Sequence, residues 1–248
     1  MQKWASHIVF SCFLMGITLV GCEKEAANCV ESRGEQTHES RDLGSFHHIK
    51  IDGRIDVEII DGPESEVAVT YGANAIGGIT TEVRGDTLYI AEINSCDWMR
   101  KVDPLPLVSI QAPALESVYS MSSGSVQINF LDTLDSFLIE VSDAGGSLMA
   151  FINSARIDAV VHTGATDVTL SGVANNTYLY NNGYGPLDAS GLISRTVTVH
   201  NNNSGDISAA VWETAYTQIY QTGDIFLYGS PEIVRWNTSG SGKVFTIQ

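Results

Sequence analysis

The amino-acid sequence predicts an all-β chain folded as a parallel β-helix-like solenoid with short Gly/Asn/Asp-rich corners, and three observations carry that prediction. From Phe46 onward apolar and polar residues alternate with period two, as in HIKIDG, DVEIIDG and EVAVTYG, and almost nowhere recur at helical spacing. Each short run is closed by a Gly, Asp or Pro turn. In the second half the apolar residue after each turn is Val126, Leu148, Val168, Leu187, Ile207, Ile225 and Val244, with gaps of 22, 20, 19, 20, 18 and 19 residues. A turn at fixed phase is what stacked coils demand, because each coil must return the chain to the same point one strand spacing along the axis. A β-sandwich with turns every 8–12 residues or so is the alternative that such spacing leaves open.

Taken in order, residues 1–7 hold one lysine and no acid, and Ile8 to Val20 is an apolar run too short for a permanent membrane span. This reads as a signal peptide over residues 1–21. It ends in LVGC, Leu19 to Cys22, which resembles the bacterial lipobox. That resemblance implies cleavage before Cys22, lipidation of its thiol and attachment to a membrane through the acyl chains. An ordinary secretory signal is the simpler alternative, and both readings carry the chain out of the cytoplasm. Residues 22–44 are polar, lack apolar periodicity and are read as a lipidated tether. Glu23 stands where an Asp would resemble an inner-membrane retention signal, so the outer membrane is the expected location, on either its surface or its periplasmic face.

Four cysteines are present. Cys12 lies in the signal and Cys22 takes the lipid, so Cys29 and Cys96 are left as an expected disulfide in an oxidising compartment. No Cys or His pair has the spacing of a zinc site. The formal charge of −16 becomes −17 without residues 1–21, which contain one lysine and no acid. Such a balance excludes nucleic acid as a partner and disfavours adsorption to anionic lipid, since both need basic patches.

Residues 45–248 form the solenoid domain. Its corners, SSGS, DAGGS, HTGATD, NNGYG, NNSGD, QTGD and SGSG, are expected to use glycine for positive φ, with Asn tolerating the same region. The residues before the repeating apolar position are Ser125, Ser147, Asp167, Pro186, Asp206, Asp224 and Lys243. Stacking in register would bring Asp206 and Asp224 within about 4.8 Å of each other. Two carboxylates that close need compensation, which makes them candidate Ca²⁺ ligands; capping of turn amides is the alternative. No other cofactor is expected.

Parallel β-helices also host polysaccharide lyases and hydrolases. The coil carboxylates Asp143, Asp158, Asp167, Asp188, Asp206 and Asp224, with Arg156, Arg195 and Arg235, form no recognisable catalytic motif, and loops long enough to build a cleft are missing. The expectation is therefore no catalytic residue and no enzyme. His47, His48, His162 and His200 are read as structural. Aromatic residues of the later half are candidates for a ligand surface, Trp212, Trp236, Tyr220 and Tyr228 above all, with Trp98, Tyr178, Tyr180, Tyr184 and Tyr216 as further members.

The stretch FHHIKIDGRIDVEIIDG, followed by TLYI, APALESVYSMSSGSV, TGATDVTLSG, NSGDI and QTGDIFLYGSPEIVRWNTSGSGKV, resembles the bacterial auto-transporter adhesin, head GIN domain family over about residues 45–247. The resemblance implies a right-handed parallel β-helix-like fold on a secreted or lipid-anchored protein, and brings no catalytic residues with it. The first corner, SMSSGS, lacks a double glycine, and NNGYGPL places Pro186 where other corners have Asp. The function expected is that of a cell-envelope adhesin or binding scaffold for a glycan or protein ligand. A periplasmic structural or sensing lipoprotein is the alternative.

Overall fold

The computed structural model describes residues 32–94 and 104–248, apart from the side chains of 235–237. Cys22, Cys29, Cys96 and Trp98 lie outside the described residues. The chain is a β-solenoid of about 6 turns, 67% strand. The first strands are β1 (Gln36–Arg41), β2 (His48–Gly53), β3 (Asp56–Asp61) and β4 (Glu66–Gly72), followed by a 3-10 turn (Ile76–Gly78). Next come β5 (Ile79–Arg84), β6 (Thr87–Glu92), β7 (Leu107–Ala112) and β8 (Ser117–Ser122). Long strands follow: β9 (Ser125–Val141), β10 (Ser147–Val161), β11 (Asp167–Asn181), β12 (Leu187–Asn201) and β13 (Ile207–Ile219). The chain closes with β14 (Ile225–Tyr228), β15 (Glu232–Thr238) and β16 (Val244–Ile247).

From β9 to β13 each long strand makes one coil, with a first run, a bend and a second run, and neighbours pair in parallel. The seven repeating apolar residues stack in one column: Val126, Leu148, Val168, Leu187, Ile207, Ile225 and Val244 are successive register partners. All but the half-buried Val244 are buried in a single core that runs the length of the stack. The second run alternates in the same way, so both runs face inward with every other residue. A sandwich of antiparallel strands is thereby excluded.

The first half is less regular. β2 lies between β6 and β8, and β3 between β7 and β9, all parallel. After β3 the chain therefore leaves the stack, builds its end from β4 to β7 and rejoins at β8, passing over the coil made by β2 and β3. The end is finished with the antiparallel pairs β1–β4, β4–β7 and β5–β6. Residues 36–41, expected as part of the tether, are β1. Their sequence QTHESR has no apolar face because an edge strand is held by backbone pairing, and charged side chains are what blunt such an edge. Thr37, Glu39 and Arg41 stand opposite Tyr71, Val69 and Val67, and Arg41 is paired with Glu39 at 2.7 Å.

Candidate ligand-binding surface

The corners are built from backbone contacts between coils. Gly124, Gly146, Gly185, Gly205, Gly223 and Gly242 fall one above another, with Thr166 between Gly146 and Gly185, and a Cβ on each glycine would overlap the carbonyl oxygen of the preceding coil. Asn181 and Asn201, register partners and fully buried, hold the corners from within. Asn181 Nδ2 donates to the Gly185 carbonyl at 3.0 Å and its Oδ1 accepts from Gly183 N at 2.9 Å; Asn201 Nδ2 donates to the Gly205 carbonyl at 2.9 Å. Turn amides are capped by aspartates one coil back. Asp56 Oδ1 accepts from Ser125 N, Asp206 Oδ1 from Asp224 N, and Asp224 Oδ1 from Lys243 N, at 2.8, 2.8 and 2.7 Å. The amides of Ser147 and Asp167 bond to the Gly124 and Gly146 carbonyls instead, and Pro186, one coil after Asp167, has no amide hydrogen to cap. One carboxylate oxygen of Asp206 and of Asp224 is thus committed to a backbone amide. Among the described residues, no three His, Cys, Asp or Glu side chains converge to hold a metal.

The outward side chains of the second run form a flat, polar and aromatic face. One column reads Lys50, Tyr119, Glu140, Val160, Tyr180, His200 and Gln218, and beside it runs Ser117, Leu138, Asp158, Tyr178, Thr198 and Tyr216. Lys50 Nζ lies 5.0 Å from the centre of the Tyr119 ring. His162 Nε2 and Glu140 Oε1 are 3.0 Å apart. Tyr178 meets His200 edge to face, ring centres 5.3 Å apart, with its hydroxyl 3.3 Å from Nδ1. Asn202 Nδ2 donates to the Tyr180 hydroxyl at 3.2 Å, and Gln218 Nε2 donates to the Tyr220 hydroxyl. Burial pushes the Tyr178 hydroxyl up, helped by Tyr180 and Asp158, and pushes the His200 imidazole down. Both shifts favour the uncharged form, so near neutral pH the later half of this face offers neutral donors and acceptors between ring surfaces.

The sequence matches the family model described as "Putative auto-transporter adhesin, head GIN domain" over residues 45–231, most of the chain. The chain belongs to this family. Solved structures share the fold of this head GIN domain. An adhesin, named as putative, from Bacteroides fragilis is 20% identical, covering 88% of this chain and 100% of its own with a TM-score of 0.80. A protein from Parabacteroides distasonis named as a putative lipid binding protein is 17% identical, with 87% and 98% covered and a TM-score of 0.65. A putative adhesin from the same species is 18% identical, with 86% and 98% covered and a TM-score of 0.65. No curated protein matches the sequence.

Within the head GIN domain the aromatic residues singled out from the sequence do not share one surface. Trp212 stands exposed at the bend, where Leu131, Val173 and Ile193 of other coils are exposed too. Tyr228 lies on the outer side of the first run, and Tyr220 at the border between the second run and the corner. Residues spaced eight apart cannot align in coils of nearly 20. Trp236 is placed in β15, and its side chain is not described. The carboxylates weighed for catalysis are engaged locally: Asp158 with Arg156, Asp188 with Ser190 N, and Asp143 with Thr163. His47 is bonded to Asp86 and His48 to Ser117. Lys50 and Tyr119 extend the tyrosine face without any signal in the sequence, because their alignment depends on β2 lying beside β8, which chain order conceals.

Proposed function

We propose that this protein is a lipid-anchored binding scaffold of the cell envelope that captures a glycan or protein ligand along the tyrosine–histidine face. The carrying observation is the pair of outward columns, where Tyr180, His200 and Gln218 follow one another at the strand spacing of about 4.8 Å and Tyr178 and Tyr216 flank Thr198 in the neighbouring column. Tyrosines fixed in this way offer large contact area with little side-chain freedom to lose, and their hydroxyls add orientation. An extended ligand then meets many modest contacts instead of one deep pocket. The family and the neighbours named as adhesins support the binding role; the LVGC motif at Cys22 supports the anchor.

Protease shaving of intact cells tests the placement, with Cys22→Ser as the anchoring control. Digestion on whole cells is the expected result, with release of the Cys22→Ser protein from the membrane fraction. Protection until the outer membrane is broken would overturn the adhesin reading and point to a periplasmic role. If the face carries binding, a Tyr178→Ala/Tyr180→Ala variant that remains folded loses attachment to the surface that the parent protein binds.

A further inference from the structure

The opposite side of the molecule holds a trough that the tyrosine face does not explain. On the outer side of the first run, Ser40, Ala68, Ser109, Glu58 and Gln127 form one row across β1, β4, β7, β3 and β9. Three small side chains in succession leave the sheet uncovered there. A hollow of about 670 Å³ lies over them, a second of about 320 Å³ lined by Thr70, Leu107 and Gln127 adjoins it, and Glu58 lines both. Each is of the size that encloses a small ligand. Arg33 Nη1 donates to the Pro104 carbonyl at 2.7 Å beside one hollow, while Asp42 and Leu43 line the other.

The chemistry of the lining narrows the ligand. Hydroxyls of Ser40 and Ser109 and the amide of Gln127 can both donate and accept, whereas the Glu58 carboxylate only accepts, and the Thr70 hydroxyl is already bonded to His38 Nδ1 at 3.0 Å. Among the described residues Glu58 has no ion pair or hydrogen bond of its own. Of the two nearby arginines, Arg33 donates to the Pro104 carbonyl, and Arg41 pairs with Glu39 at 2.7 Å while its Nε is buried without a hydrogen-bond partner among the described residues. Leu105, Leu107 and Ile60 supply apolar wall. A ligand bearing several hydroxyls on a compact frame with an apolar side matches this lining. An acidic one is opposed by Glu58 and by the net charge of −16.

We propose that the trough is a binding site for a neutral saccharide of one or two rings. It lies on the first run and so stands or falls independently of the tyrosine face. The test is calorimetric titration of the full-length protein with cellobiose, lactose and N-acetylglucosamine, and with glucuronate as the acidic counterpart. At least one neutral sugar is expected to bind saturably, and glucuronate more weakly. Glu58→Gln removes a charge-assisted acceptor and is expected to weaken binding about tenfold or more. Ser109→Trp fills the trough and is expected to abolish it, while Gly145→Ala, outside both the trough and the tyrosine face, leaves it unchanged. Glu58 is exposed, so Glu58→Gln keeps the test decisive even if Ser109→Trp fails to fold. Absence of binding by all three neutral sugars, equal binding of glucuronate, or unchanged affinity in Glu58→Gln would overturn the proposal.

Discussion

Glycine at these corners serves close approach more than dihedral freedom. The corner sequences suggest positive φ, yet Gly205, Gly223 and Gly242 do not have it; in the regular corners Gly164 at φ 102° does, and so does Asp143 at φ 52°. What Gly205 needs is room for the Gly185 carbonyl, a requirement invisible until coils are stacked. Gly205→Ala is therefore expected to cost about 1–3 kcal/mol through forced backbone shifts, while Gly145→Ala, whose Cβ meets nothing within 4 Å, should change stability by less than about 0.5 kcal/mol. Urea unfolding of both variants measures the difference. His200 gives a prediction of opposite visibility, since neither its burial nor its Tyr178 partner can be read from the chain. Burial lowers its pKa below the ordinary 6.5. The unfolded chain then takes up the proton first, so stability is full above pH 6.5 and declines as pH falls through the window down to the depressed folded value. Replacing His200 with Gln should flatten that part of the stability–pH curve.

At the level of strands and coils, legibility divides at about Ser125. Beyond it each coil follows its predecessor in the chain, so a column in space is a period in the sequence, and Val126 through Val244 align from residue order alone. Ahead of it, β4 and the β5–β6 hairpin run antiparallel, and β3 pairs with β7 and β9, far away in sequence. No fixed period survives such an order. β1 escapes a sequence reading for a different reason, because a polar edge strand carries no hydrophobic signal. Within the regular coils the column sets the energetics. Leu187 is fully buried between Val168 and Ile207, and Leu187→Ala should cost about 2–5 kcal/mol. Val244, half-buried on the last strand of the column, has a partner on one side, and Val244→Ala should cost less than about 1 kcal/mol by the same unfolding measurement.

For the molecule as a whole, the two runs present different chemistry on opposite sides, tyrosine and histidine on one and a hydroxyl-lined trough on the other. Residue types alone suggest aromatic recognition, but Trp212, Tyr220 and Tyr228 do not group, because a coil turns each of them toward a different side. The trough is equally hidden, since Ser40, Ala68, Ser109 and Glu58 are adjacent only through the return of the chain past β3. That return would have a mechanical consequence if the protein is anchored at its N-terminus as proposed above. Tension arriving there would first meet β1, which among the described residues pairs with β4 alone and could be peeled away one hydrogen bond at a time. It would next meet β2, clamped between β6 and β8, where two rows of bonds must shear together. Anchored in that way, the molecule would yield a short length of slack and then lock.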